Sequence, residues 1–142
     1  SLAAGRDGTF AVARSDGLVE IRRLPDGKVL RTLRHPFTVR QVVYSPDGRT
    51  LATSTTHEKV IRLWDATSGT EIAQIAGHLD SEPNSLAFSP DGKELVSAGA
   101  DGAVAVWQLD PDAAVADACR ALRVLGNAEG TGEADLPALC RA

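Results

Sequence analysis

Ser97, His78 and Asp101 are the residue types of a nucleophilic triad, in which an imidazole takes the serine proton and a carboxylate orients the ring. The three histidines, at 35, 57 and 78, are the residue type that most often binds transition metals. Their regular placement in equivalent contexts argues for three separate structural roles rather than one metal cluster. Repeated Asp-Gly pairs at 7–8, 47–48 and 91–92 have the look of calcium loops. None sits in the Asp-x-Asp-x-Asp-Gly run with a later Glu that an EF-hand requires. No glycine-rich loop ends in Gly-Lys-Ser/Thr to cradle a phosphate, and Cys119 and Cys140 form no Cys-x-x-Cys pair for zinc or redox work. Neither a cofactor nor a metal is therefore expected.

What such residues can do depends on the elements that hold them, and composition bounds these. The chain has 142 residues, 43% of them hydrophobic and 24% charged, which is globular. The formal net charge is −4 and arginine outnumbers lysine, but the basic residues are scattered, so no nucleic-acid patch is expected. The longest stretches without a charged side chain, such as residues 102–109, fall far short of the roughly 20 apolar residues that span a bilayer. The first residue is Ser1 and no methionine occurs, which reads as a piece of a longer chain.

The three Asp-Gly pairs recur at spacings of 40 and 44 residues, the signature of an internal repeat. Each is followed by a short apolar run, at 9–13, 50–53 and 94–97, then a turn and a second run at 18–21, 60–64 and 103–107. Further runs at 28–33 and 71–75 close the first two units, and the third lacks its counterpart. With 39–44 and 85–88 ahead of the second and third turns, a full unit holds four short antiparallel strands. Ala103 to Trp107 is apolar at consecutive positions, which predicts a strand covered on both faces. Arg62 between Ile61 and Leu63 predicts less complete cover, or an arginine stem laid along a neighbour.

Trp64-Asp65 closing one unit, Gly77-His78 opening the next, and the segments VVYSPDGRTLATS and LAFSPDGKELVSAG resemble the WD40-repeat β-propeller family over about residues 1–110. The resemblance implies an all-β fold: three consecutive four-stranded blades at about 1–36, 37–79 and 80–110, the last lacking its outer strand. Residues 111–142 then form a short helical, cysteine-containing tail. It also implies that His78, Ser97, Asp101 and Trp107 form the family's buried structural tetrad. There the indole donates to the hydroxyl, the hydroxyl pairs with the imidazole, and the carboxylate fixes the tautomer. Such an array is a scaffold, not a catalytic triad. In the second unit the equivalents are His35, Thr53, His57 and Trp64, with a histidine where the acid belongs. The first unit has Asp16 but carries Arg22 at the tryptophan position.

Beyond residue 110 the spacing of Val115, Cys119, Leu122 and Leu125 gives one apolar stripe on a helix. The tail resembles an appendage of bacterial, especially actinobacterial, multidomain WD-repeat signalling proteins. Cys119 and Cys140 would form a disulfide in an oxidising compartment and remain thiols in a reducing one. Localisation follows that choice, with the cytoplasm the simpler expectation. The family resemblance implies a non-catalytic protein-interaction platform, part of a larger regulatory protein whose remaining blades complete the ring. By position its partner-binding residues are Thr38, Arg40, Thr56, Glu82, Asn84 and Ala100. Two other readings remain open: a purely structural ring-closing segment, or part of a propeller enzyme whose site lies in other blades.

Overall fold

Each Asp-Gly turn reverses the chain because its glycine takes a backbone conformation that side chains oppose, with φ of 66° at Gly8, 73° at Gly48 and 72° at Gly92. Side chains lock the second and third turns in the same way. The Ser45 hydroxyl donates to Asp47 Oδ1 at 2.6 Å, that oxygen accepts the Arg49 N–H, and the Thr50 N–H donates back to Ser45 Oγ. Ser89, Asp91, Lys93 and Glu94 repeat the arrangement. These hydrogen bonds, the serine's first, hold both aspartates below the usual carboxylate range.

The structure is a computed structural model and describes residues 1–76 and 81–110. The described residues form three antiparallel sheets. The first comprises β1 (Leu2–Ala4), β2 (Thr9–Ala13), β3 (Leu18–Arg23) and β4 (Val29–Arg34). The second comprises β5 (Val39–Tyr44), β6 (Thr50–Thr55), β7 (Val60–Asp65) and β8 (Glu71–Ala76). The third comprises β9 (Pro83–Phe88), β10 (Glu94–Gly99) and β11 (Val104–Gln108), and has no fourth strand among the described residues. The short β1 lies in a stretch where the apolar pattern marked no strand. Residues 1–107 form one compact unit and 108–142 a second, of which 108–110 are described. The helix expected beyond residue 110, with Cys119 and Cys140, lies outside the described residues.

Strand alternation places the core between sheets. Ala11, Val19, Ile21 and Leu33 of the first sheet pack in one buried cluster with Val39, Val42, Leu51 and Trp64 of the second. The opposite face of the second sheet carries Ala52, Ile61 and Leu63, also buried, and Gln41 on that face reaches the third sheet at Leu86. The second sheet is therefore covered on both sides. Arg62 shares the face of Trp64 with its side chain only 13% exposed, and its charge is met by Glu58 at 2.6 Å and Glu71 at 3.2 Å.

Cover on both faces was expected of the last strand, with the remaining blades of the ring to supply it. Val104 is 67% and Val106 56% exposed. Their run of apolar side chains suits burial on both sides, but among the described residues no sheet lies over that face.

Candidate functional site

A relay of three buried side chains pins the second sheet to the loop that enters it. Trp64, on β7, donates its indole N–H to Thr53 Oγ1 on β6 at 2.9 Å. The same hydroxyl lies 2.9 Å from His35 Nε2, and His35 Nδ1 lies 3.3 Å from the Gly17 carbonyl. A carbonyl only accepts, so the proton is on Nδ1, and Nε2 receives the threonine proton. Every polar atom of the relay is thereby used. Burial pushes the His35 pKa below its ordinary value, which keeps the ring neutral. The hydroxyl is held between an indole and an imidazole inside the fold, where it cannot act as a nucleophile toward a substrate.

His57, which stands at the acid's position in the sequence, takes no part in this relay. Its side chain is 76% exposed and its backbone is left-handed, with φ 64°. Between its last paired residues, Ser54 and Ile61, the second sheet has one residue more than the first has between Ala13 and Val19. The Gly17 carbonyl, from the preceding sheet, takes the place of His57 in the relay. Gly17 has φ 82°, and a Cβ there would sit 2.8 Å from the His35 carbonyl oxygen. No signal in residues 37–65 could have revealed this partner, because it belongs to the neighbouring repeat.

In the third sheet Trp107 donates its indole N–H to Ser97 Oγ at 2.9 Å, the same step as in the second. The Asp101 carboxylate accepts the Ala103 N–H at 2.9 Å, and the Asp101 N–H reaches Ser81 Oγ at 3.4 Å. His78 lies outside the described residues. In the first sheet Arg22 pairs across from Phe10, as Trp64 does from Leu51, so it does hold the tryptophan position. Salt bridges replace the relay there: Arg22 and Arg14 both bond Glu20, and Arg14 also bonds Asp16. The two guanidinium groups, Arg22's first, hold the Glu20 carboxyl below its usual range.

The expected partner-binding residues divide. Arg40 donates to Glu82 Oε2 at 2.8 Å, and Glu82 Oε1 accepts the His57 N–H at 2.7 Å. Phe37, 41% exposed, stands edge-on to His57 with ring centroids 5.8 Å apart. Thr38 joins the group by accepting the Thr56 N–H on its carbonyl, and its hydroxyl donates to the Ser15 carbonyl. Thus Thr38, Arg40, Thr56 and Glu82 meet at one end of the inner strands. Asn84 and Ala100 are not joined to them by any hydrogen bond among the described residues. Arg40 and Glu82, both named by position as partner-binding residues, also have a structural part. They are bonded to each other across two sheets, and Glu82 also holds a left-handed turn. Phe37, missed in the sequence, could have been found only as an exposed aromatic, which requires knowing its burial.

Antiparallel sheets of one repeat, packed face to face and pinned by indole–hydroxyl pairs, define a segment of β-propeller. The chain belongs to the WD40 family: the model for "WD domain, G-beta repeat" matches residues 27–65 and 69–108. Each match runs from the outer strand of one sheet through three strands of the next, so the sequence repeat staples successive sheets covalently. Among similar proteins, an uncharacterized WD repeat-containing protein of Synechocystis is 34% identical over 97 residues, covering 68% of this chain and 28% of its own. Rat coronin-7 is 36% identical over 106 residues, covering 69% of this chain and 11% of its own. Human WD repeat and SOCS box-containing protein 1 is 34% identical over 103 residues, covering 71% and 24%. The chain spans less than a third of the length of each of these relatives. Among the described residues, no helix is long and apolar enough to cross a membrane, and no three His, Cys, Asp or Glu side chains group to hold a metal.

Proposed function

We propose that this segment is a non-catalytic platform for binding another protein, within a larger regulatory protein, and that its contact face is the strand end carrying Phe37, Thr38, Arg40 and His57. The observation that carries the reading is the exposed Phe37–His57 pair set beside the Arg40–Glu82 ion pair. Such a combination, an apolar anchor next to a fixed charge pair, is the composition of an interface core with its polar rim. Family membership supports the same reading, as does the occupation of the Thr53 hydroxyl by Trp64 and His35.

The test is a two-component titration against a partner purified to homogeneity, with Phe37→Ala and Arg40→Glu made separately. Each is expected to weaken binding about tenfold or more, on the scale of an interface anchor, with the melting temperature of Phe37→Ala unchanged. Unaltered affinity in both variants would remove this face as the contact surface.

A further inference from the structure

Glu82 divides its carboxylate between two donors, and the division leaves Arg40 under-used. Oε2 accepts an N–H from Arg40 Nη2 at 2.8 Å, while Oε1 accepts the His57 N–H at 2.7 Å. A guanidinium and a carboxylate commonly meet through two parallel hydrogen bonds. Here the second oxygen serves the left-handed turn, so Arg40 Nη1 and Nε have no acceptor among the described residues. The Arg40 side chain is 39% exposed, and those donors face solvent. The carboxylates in the neighbouring loops are already matched. Asp16, next to the Ser15 that holds Thr38, is paired with Arg14 at 2.8 Å. Glu58, next to His57, is paired with Arg62 at 2.6 Å and accepts the Thr55 hydroxyl. The Asp101 carboxylate turns back on its own loop to accept the Ala103 N–H.

Beside the guanidinium lies an apolar half. The Phe37 and His57 rings stand edge-on, both exposed, over backbone that is held at Thr38, Thr56 and His57. What charge such a surface accepts depends on what Arg40 already shares. Its one positive charge is opposed by Glu82, so a further anion is bound with only that cation between the two. A singly charged carboxylate can use the unoccupied N–H groups in this way. A phosphate ester carries about −1.5 to −2 at pH 7, and its repulsion from Glu82 exceeds what one arginine offsets. A basic ligand would meet the exposed cation itself.

We infer that the partner bound at this face presents an acidic side chain, Asp or Glu, whose carboxylate docks on the unused N–H groups of Arg40, with an adjacent apolar residue laid against Phe37 and His57. The inference rests on the proposed contact face and adds the chemistry of what it binds. Glu82 is then a specificity residue, because its charge admits one further monoanion and opposes a dianion.

Random peptides displayed on phage and panned against the full-length protein supply a probe that presupposes no partner. Selected peptides are expected to carry Asp or Glu next to an apolar residue. As synthetic peptides they should bind Arg40→Gln about tenfold more weakly, the scale of a hydrogen bond to a charged group. Exchanging the peptide's acid for its amide should cost as much on the wild type and little on Arg40→Gln, since both changes remove the same contact. Glu82→Gln should tighten the acidic peptides about threefold by removing a solvated like charge. A Glu82 that only supported the turn would weaken them instead. Circular dichroism establishes that each variant is folded. Peptides lost on Phe37→Ala that carry no acid would overturn the inference and leave the contact face standing. Peptides indifferent to both Phe37→Ala and Arg40→Gln would remove the face itself. A phosphoserine that outbinds the acid in the same peptide would overturn the choice of a carboxylate. A library that yields no binder would also overturn the inference, because it contains every pairing of an acid with an apolar neighbour.

Discussion

Glu82 holds the backbone of His57 in a left-handed turn, its Oε1 accepting the His57 N–H at 2.7 Å where φ is 64°. Few residues other than glycine sit in that conformation, because Cβ crowds the following carbonyl. Here a carboxylate from the next sheet stabilises it, and Arg40 supports the carboxylate. That hydrogen bond first, and the Arg40 charge after it, hold Glu82 below the usual carboxylate range. Glu82→Gln should keep part of the contact and Glu82→Ala none. In thermal melts the alanine variant is therefore expected to lie below the glutamine variant, with both below the wild type. His57→Gly should move the other way and raise stability by up to about 1 kcal/mol as the left-handed strain is relieved.

His35 makes the stability of the second sheet depend on pH. Its folded-state pKa is lowered by burial, so the unfolded chain binds a proton more readily than the folded one. The contribution is complete above the unfolded value near 6.5 and is lost as the pH falls from there through the lowered folded value. The depressed carboxylates, Glu20, Asp47 and Asp91 among them, lose theirs only below about pH 4.5. Urea midpoints measured between pH 7.5 and 5 should therefore decline in the wild type and stay level in His35→Gln. A level wild-type profile would show that the ring is not desolvated.

Much of this architecture can be read from periodic residues, and the reasons it stops are physical. The turns at 47–48 and 91–92 are legible because serine, aspartate and glycine act on their own immediate backbone. Trp64 with Thr53, and Trp107 with Ser97, are legible because both partners lie on adjacent strands of one sheet. The Gly17 carbonyl at His35 and the Glu82 carboxylate at His57 are not, since each comes from a neighbouring sheet and depends on how the sheets stack. The run from Val104 to Trp107 shows a strand fit for burial on both faces, but apolar character alone does not supply the sheet that would cover it.

Thr53 is the shared atom of the relay, and its hydroxyl can be separated from its methyl. Thr53→Ser keeps the oxygen, as Ser97 does in the third sheet, and should cost less than about 1.5 kcal/mol, the scale of a lost methyl group. Thr53→Val keeps the shape but strands the Trp64 N–H and His35 Nε2 in the interior. Each unsatisfied buried group costs about 1–3 kcal/mol, so for the two a loss of roughly 2–6 kcal/mol is expected in denaturant titrations. Near-equal stability of the two variants would mean that water reaches the relay.

Gly17 combines two demands that can be told apart by comparison with Gly102. Both glycines have positive φ, 82° and 78°, so an alanine at either meets the same backbone opposition, about 1–2 kcal/mol. At Gly102 a Cβ would have open space around it, and nothing further is lost. At Gly17 it would lie 2.8 Å from the His35 carbonyl oxygen and 3.0 Å from that of Phe37. Backbone on both sides leaves no flexible group to yield. The loop must shift, and the His35 N–H and Nδ1 lose the carbonyl they share, while Phe37 moves with them. Gly17→Ala should therefore cost upward of about 3 kcal/mol, at least twice the loss at Gly102. Because the displaced segment carries Phe37, it should also weaken partner binding under conditions where the protein remains folded. Equal losses at the two glycines, measured by chemical denaturation, would show that the first and second sheets are not packed at the Gly17–His35 contact.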